Sequence, residues 1–257
     1  MGVEKMIRKK IVILSTFLLF GLNAHVLAEQ SEVEKNQKSY LKVWIGYNSY
    51  KMTEFNEKLS NENNKPIKGG INAGIELNVV DLSIFKSGIH IKAPFGIEYF
   101  NAASVTTHSY EGGSVTVEWK IPVAGIYIAP SISIKKIGGF YIRPIGIGYY
   151  NLGNVFDARL LITDRPGRLE VSGDAVGFLS TLGMKYSTDE FKIFAEAGYR
   201  WLEFSDVFQD PKDGFTETPG GSLVQPGYLH ENLDYSGFVF KIGVEITLSS
   251  SEKSSDI

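Results

Sequence analysis

The chain has 257 residues, a formal net charge of −3, 27 glycines and no cysteine. A mildly acidic chain is not expected to bind nucleic acid through its charge. The lack of thiols excludes disulfides, thiolate metal sites and a lipid-modified cysteine. Aromatic residues make up 12% of the chain, and together with the abundant glycine they favour many strands over helices.

The first 28 residues predict a secretory signal peptide. Basic residues at 8–10 precede an apolar run at 11–22, and small or compact side chains allow cleavage after Ala28. At about 12 residues the run is shorter than the roughly 20 that a spanning helix needs, so an uncleaved anchor is the weaker alternative. Translation could begin at Met1 or Met6. The remaining 229 residues hold 22 basic and 28 acidic side chains, a net of −6.

The strongest pattern lies between Phe238 and Leu248. Large apolar side chains occupy every second position from Phe238, while Lys241, Gly243 and Glu245 fall on the opposite face. Strict alternation indicates a strand with two unlike faces. The uninterrupted apolar face favours lipid as its surroundings and a narrow polar interior on the other side.

Similar alternation predicts eight strands, an even number, over residues 39–248. Their approximate spans are 39–50, 69–80, 88–100, 114–128, 140–150, 175–186, 191–204 and 238–248. Short turns at 81–87, 130–139 and 187–190 alternate with long polar loops at 51–68, 101–113, 151–174 and 205–234. This asymmetry is typical of membrane barrels with short periplasmic turns and long extracellular loops.

Three smaller segments complete the predicted domain organisation. Phe55 and Leu59 are spaced to share one face of a short helix, which Thr53 can cap and which we place over one mouth of the barrel. Residues 29–38 are expected to form a periplasmic linker, and residues 249–257 a polar tail.

A soluble lipocalin-like barrel is the main alternative, because its eight strands also alternate but turn their apolar face inward. Here glycines recur on the polar face, which suits the narrow interior of an eight-stranded barrel. The polar face also mixes both signs of charge, Lys192 among them, so these side chains can pair inside. We hypothesise a lumen ion network that plugs the barrel, composed of Lys42, Glu76, Lys92, Glu98, Glu118, Lys120, Lys185, Glu196, Arg200, Lys241 and Glu245.

Aromatic residues cluster toward the strand ends, as expected at the two interfaces of a membrane. The outer girdle would contain Tyr47, Tyr99, Trp119, Tyr149, Phe178, Trp201 and Phe238, and the inner girdle Tyr40, Tyr127, Tyr141, Tyr186 and Phe191. Two prolines disturb the pattern. Pro122 predicts a bulge or bend, and Pro144 either shifts the register or leaves Arg143 snorkelling at the membrane edge.

The stretches Ala195-Glu-Ala-Gly-Tyr-Arg200 and Asp234-Tyr-Ser-Gly-Phe-Val-Phe-Lys-Ile-Gly243 resemble the small outer-membrane barrels of Gram-negative bacteria, the family of the OmpA transmembrane domain, OmpX and OmpW. The resemblance is one of pattern and covers about residues 39–248. It implies an all-β fold, an eight-stranded antiparallel up-and-down transmembrane β-barrel in the outer membrane. It also implies outer-membrane lipids and the barrel assembly machinery as partners, while the extracellular partner is unknown.

Few residues suggest enzyme chemistry. Of the histidines, His90 lies on a polar strand face, and His108-Ser109 and His230-Glu231 are only sequence neighbours, which do not predict the geometry of a triad. The carboxylates of the last loop do not match the spacing of a calcium-binding loop, so we read them as solvated; they are Asp206, Asp210, Asp213 and Glu217. We expect no catalytic site, cofactor or metal.

Three hypotheses for function follow. The crowded interior favours a non-enzymatic structural or surface-interaction protein with an ion-paired, largely plugged lumen. The second hypothesis is a small pore or conduit for small or apolar solutes, which conductance would reveal. The third and weakest is a lipid-modifying outer-membrane enzyme.

Overall fold

The computed structural model describes residues 39–84, 89–111, 113–134, 139–153, 159–162, 168–188, 191–212, 226–228 and 232–248. The predicted signal peptide (1–28), linker (29–38) and tail (249–257) lie outside the described residues. The described part contains one helix, α1 (Thr53–Asn61). Its strands are β1 (Ser39–Ser49), β2 (Gly69–Ile84), β3 (Ile89–Tyr110), β4 (Gly113–Ile128), β5 (Ser131–Ile134), β6 (Phe140–Leu152), β7 (Arg159–Ile162), β8 (Arg168–Ser187), β9 (Lys192–Trp201), β10 (Glu203–Phe204), β11 (Phe208–Lys212), β12 (Gly227–Tyr228), β13 (Leu233–Asp234) and β14 (Gly237–Leu248).

The wall of the molecule is a closed antiparallel ring with eight strand positions. β1 pairs with β2, β2 with β3, and β3 with β4 and β5, which together fill one position. β6 follows, then β8, β9 and β14. β14 returns to β1, with Ser39 opposite Leu248 and Asn48 opposite Val239. The predicted all-β, eight-stranded, up-and-down barrel is confirmed.

The barrel carries its apolar side chains outside and its charges inside. Phe238 is 74% exposed and Leu182 60% exposed, whereas Lys42 and Arg200 are 1% and 0% exposed. A lipocalin-like barrel would have the opposite arrangement. An exposed apolar band of this extent marks a surface that contacts protein or membrane.

The two ends of the barrel differ. We call the end that holds Ser39 and Leu248 the terminal end, and the opposite end the loop end. At the loop end β3 extends to Tyr110 and stays paired with β4 up to Gly113. β7, β11 and β12 continue the same sheet. The predicted loop at 101–113 was therefore wrong, because a stretch rich in small and polar side chains also forms strand here.

Helix α1 fills the mouth of the barrel at the loop end. Phe55 and Leu59 are fully buried, as their spacing predicted. The expected cap at Thr53 was wrong: the N-cap residue is Met52, whose φ is 39° and which makes no side-chain capping hydrogen bond. No helix in the described ranges is long and apolar enough to cross a membrane.

An apolar core lies beneath this helix, inside the loop end of the barrel. It joins side chains from α1 and its flanking residues, from the loop-end parts of β3, β4, β6 and β8, and from the segments that follow β9. Its members are Tyr50, Met52, Phe55, Leu59, Ile67, Phe100, Ala102, Val117, Trp119, Ile121, Val123, Tyr150, Leu152, Leu169, Val171, Leu202, Phe204, Val207, Leu233 and Tyr235.

Several predicted girdle residues instead lie inside the barrel. Tyr40, Tyr127, Tyr141 and Trp119 are each at most 5% exposed. The tyrosines lie among the interior charges: the hydroxyl groups of Tyr127 and Tyr141 donate to carboxylates, and the Tyr40 ring lies under Lys92. Trp119 belongs to the apolar core. The other girdle residues described as exposed remain on the outer surface: Tyr47, Phe178, Tyr186, Phe191, Trp201 and Phe238.

The two predicted proline irregularities had different outcomes. Pro122 lies opposite Asn101 in an unbroken β3–β4 register, so the expected bulge there was wrong. The register between β6 and β8 does shift between Arg143 and Gly146, on either side of Pro144. That shift turns Arg143 into the interior, where its side chain is 1% exposed.

Candidate functional site

Two carboxylates and two cations form the centre of the interior. The Arg143 guanidinium donates from Nη1 to Glu76 Oε1 at 2.6 Å and from Nη2 to Glu76 Oε2 at 2.7 Å. Arg143 Nη2 also lies 3.0 Å from Glu196 Oε1. Lys42 Nζ lies 3.3 Å from Glu196 and 3.7 Å from Glu76. The strands β1, β2, β6 and β9 thus meet through one neutral cluster.

Aromatic side chains complete this central cluster. The Tyr127 hydroxyl donates to Glu76, and the Tyr141 hydroxyl donates to Glu196. Lys42 Nζ lies 4.5 Å from the centre of the Phe194 ring, a distance at which the ring attracts a cation. These contacts supply partners that water would otherwise provide to the charges.

A second cluster lies on the loop-end side of the first. Arg200 Nη2 donates to Glu98 Oε1 at 2.6 Å, and the Tyr150 hydroxyl donates to the same oxygen at 2.8 Å. Lys241 Nζ lies 3.6 Å from Glu98 Oε2 and 4.0 Å from the centre of the Trp44 ring. The carboxylate of Glu98 therefore joins β3 to both β9 and β14.

A third cluster lies toward the terminal end. Glu245 accepts hydrogen bonds from Lys185 Nζ at 2.6 Å and from Lys192 Nζ at 2.9 Å. Lys92 Nζ lies 4.4 Å from the centre of the Tyr40 ring, and Lys185 approaches the same ring at 5.4 Å. The carboxylate of Glu245 is inaccessible to solvent, while both lysines that bind it are partly exposed.

Glycines on neighbouring strands make room for the large interior side chains. Tyr127 lies across Gly96, which is its register partner on β3. Tyr141 lies in the same way across Gly183 of β8. A Cβ at either glycine would collide with the tyrosine ring. The glycines on the polar face therefore allow an aromatic ring to lie close to the backbone of the neighbouring strand.

The fully buried charges are equal in number. The fully buried charged residues in the described ranges are the cations Lys42, Arg143, Arg200 and Lys241 and the carboxylates Glu76, Glu98, Glu196 and Glu245. Removing one partner from such a buried pair typically costs about 3–5 kcal/mol, since it leaves the other charge without compensation. The clusters therefore act as a set of cross-links that holds side chains across the lumen.

The apolar core closes the lumen above the charges. The rings of Phe55 and Trp119 meet edge to face with their centroids 5.1 Å apart. The Tyr235 hydroxyl donates to the Ile121 carbonyl at 2.9 Å. The guanidinium of Arg200 lies 4.3 Å from the centre of the Phe100 ring, where the charged and apolar halves meet. The contact between Phe55 and Trp119 attaches helix α1 to β4.

The structure brings most of the hypothesised network residues together. Lys42, Glu76, Glu98, Lys185, Glu196, Arg200, Lys241 and Glu245 take part in the three clusters, and Lys92 lies beside the third. Sequence reasoning missed Arg143, Tyr127, Tyr141 and Tyr150. Pro144 was the signal that could have placed Arg143 inside, because it marks the register shift. The glycines opposite the tyrosines were the signal that those rings lie inside the barrel.

Glu118 and Lys120 do not belong to the interior, and their placement there was wrong. Lys120 is exposed, and Glu118 is half-buried on the outer face of β4. Val117 and Trp119 take the inward positions, because this part of the strand packs its inner face on the apolar core. In this loop-end part of β4 the outward face is polar and the inward face is apolar, the reverse of the arrangement nearer the terminal end.

The candidate catalytic and calcium-binding residues are scattered. His108 Nε2 lies 3.1 Å from Asn64 Oδ1, and Asp210 pairs with Lys212. His230, Asp213 and Glu217 lie outside the described residues. Within the described ranges, no group of three or more histidine, aspartate or glutamate side chains is arranged to hold a metal ion.

The comparisons with known proteins gave a structural similarity alone. No family model matches the chain, and no curated protein matches it. Among solved structures, a major outer membrane protein from Thermus thermophilus is similar with a TM-score of 0.46 and 10% sequence identity. The match covers 82% of this chain and 99% of that one.

Proposed function

We propose that this chain is a non-enzymatic outer-membrane barrel with a sealed interior, which anchors a folded extracellular surface. The apolar outer wall supports a location in the membrane, since side chains such as Ile71 and Phe238 are 64% and 74% exposed. The loop end, with α1 and the extended sheet of β3, β4 and β8, then faces the outside, and both termini of the barrel face the periplasm.

The observation that carries the sealed interior is the full burial of paired charges from several strands. An aqueous channel would leave the lumen charges hydrated, but Glu76, Arg143 and Arg200 are at most 1% exposed. The apolar core closes the loop end as well. The proposed role is therefore structural support and presentation of a surface, rather than passage of solutes.

Single-channel recording of the purified protein in a planar bilayer tests this proposal. We expect no large, steady conductance for the native protein. An open pore of constant conductance would contradict the sealed interior and favour the solute conduit. Membrane fractionation, together with a shift in gel mobility on heating, tests the outer-membrane location independently of conductance.

A further inference from the structure

The second cluster carries one more positive than negative charge. Arg200 and Lys241 share the single carboxylate of Glu98, and all three residues are at most 1% exposed. The Tyr150 hydroxyl group, which also binds Glu98, acts there as a neutral donor. A buried charge without a counter-charge is strongly destabilising. The second cluster therefore needs one more negative charge than its own side chains supply.

The other buried carboxylates are already matched by cations of their own. The two carboxylates of the central cluster face Arg143 and Lys42. Glu245 lies four residues from Lys241 along β14, about 13 Å away at the usual rise of a strand. Both of its oxygens accept hydrogen bonds from the lysines of the third cluster. Among the described residues no further carboxylate is buried, so the excess positive charge stays with Arg200 and Lys241.

Both cations of the second cluster have hydrogen-bond donors without a partner in the described part of the chain. These donors are Nζ of Lys241 and Nε and Nη1 of Arg200, and all three atoms are shielded from solvent. Lys241 Nζ approaches Glu98 Oε2 only to 3.6 Å, whereas a charge-assisted hydrogen bond measures about 2.7–2.9 Å. Buried donors without an acceptor are rare because each one costs free energy. These atoms therefore indicate a further acceptor.

Aromatic rings cover the other sides of the two cations. Lys241 Nζ lies 4.0 Å from the centre of the Trp44 ring, and the Arg200 guanidinium lies 4.3 Å from the centre of the Phe100 ring. A ring face attracts a cation, but the ring itself stays uncharged. The rings therefore hold both cations beside Glu98 and leave the excess charge in place.

We propose that the second cluster binds one small monovalent anion of the size of chloride, which contacts Lys241 Nζ and the free edge of the Arg200 guanidinium. Such an ion supplies the missing charge and accepts the hydrogen bonds of the donors that no side chain satisfies. Water would accept the same hydrogen bonds but would supply no charge. This inference rests on the sealed interior proposed above, because an open lumen would let water hydrate the two cations.

The dependence of stability on chloride tests the site. An ion that binds only the folded protein is released on unfolding, so each tenfold rise in chloride above saturation should raise the folded-to-unfolded ratio about tenfold. Unfolding in urea is measured with the protein in lipid vesicles, in mixtures of sodium chloride and sodium gluconate. The ionic strength is held constant so that the screening of surface charges does not change. Gluconate is too large to replace chloride inside the cluster.

Lys241→Met removes the excess cation and leaves Arg200 paired with Glu98. The folded-to-unfolded ratio of this variant should not change with chloride. Lys120→Met is the matched control, because Lys120 is exposed, and it should keep the chloride dependence of the native protein. A native protein without chloride dependence would overturn the site, and so would a dependence that persists in Lys241→Met.

Crystals of the native protein grown in bromide give a second measurement, which does not require the variant to fold. Anomalous scattering should show a bromide ion in contact with Lys241 and Arg200, and a structure without one there would overturn the proposal. Single-channel recording separates this inference from the proposal on which it rests. An open native channel would overturn both, whereas a non-conducting protein without chloride dependence would overturn the anion site alone.

Discussion

Arg143 and Glu76 form a two-pronged ion pair across the barrel interior, with nitrogen–oxygen distances of 2.6 and 2.7 Å. They come from β6 and β2, which are not neighbours in the wall. Such a pair fixes both the separation and the orientation of two side chains. The pair fixes β2 and β6 relative to each other across the lumen. We therefore expect its loss to destabilise the whole barrel.

Arg143→Ala should destabilise the folded protein by about 3–5 kcal/mol, because it leaves Glu76 and Glu196 buried beside a single remaining cation, Lys42. The free energy of unfolding can be measured in urea with lipid vesicles present. Lys120→Ala is the matched control, since Lys120 is exposed and should change stability by about 0.5 kcal/mol or less. Equal effects of the two changes would contradict the role given to the central cluster.

The attachment of helix α1 gives a second prediction. Phe55→Ala removes the ring that packs on Trp119 in the apolar core and should cost about 3–5 kcal/mol where the core cannot collapse. The loss should appear as faster proteolysis of the loop end and as a change in tryptophan fluorescence. Glu57→Ala, on the exposed face of the same helix, serves as the control. If both variants resisted protease alike, the helix would not depend on this contact.

The pairing of Gly96 with Tyr127 predicts a dependence between two substitutions. Gly96→Ala should destabilise the barrel by about 1–3 kcal/mol, because the new methyl group overlaps the tyrosine ring. In a Tyr127→Ala background the same change should cost much less. Unfolding of the single and double variants gives the coupling energy, and additive effects would show that the ring and the glycine do not compete for space.

Charged residues on the outer wall should be tolerated only beyond the membrane. Ile242→Arg places a cation on the apolar face of β14 and should cost about 2–4 kcal/mol if that position lies near the midplane. Val105→Arg, on the outer face of β3 beyond the barrel rim, should have little effect. Stability in lipid vesicles measures both. Similar small effects would argue against lipid around β14.

The strands of the barrel wall could be predicted from the sequence, whereas the structure of the loop end could not. Alternation of apolar and polar residues predicted the wall strands because an apolar outer face and an inner face of glycine and charge impose a period of two. At the loop end the outer surface is polar and the interior is apolar. The same alternation therefore places its apolar residues inside and its polar residues outside there. Glu118, Lys120 and Trp119 were misplaced for this reason.

Interior contacts between distant strands were harder to predict than the strands themselves. Lys42, Glu98 and Glu196 could be placed inside from the pattern of one strand alone. Which cation meets which carboxylate depends on register and on bulges, as the shift beside Pro144 illustrates. Tyr127 and Tyr141 looked like membrane-interface residues because an aromatic ring suits both that interface and a narrow lumen opposite glycine.

The central claim is that the apolar face of every wall strand contacts acyl chains while the charged face is sealed inside. Spin labels at successive single-cysteine positions from Phe238 to Ile246, with the protein in lipid vesicles, test it most directly. Collision rates with oxygen, which concentrates in the bilayer, should rise at every second position starting from Phe238. Collision rates with a water-soluble nickel complex should stay low at the inward positions, Val239, Lys241 and Glu245. Uniform access of the nickel complex to the apolar positions would contradict the membrane location, and high access to the inward positions would contradict the sealed interior.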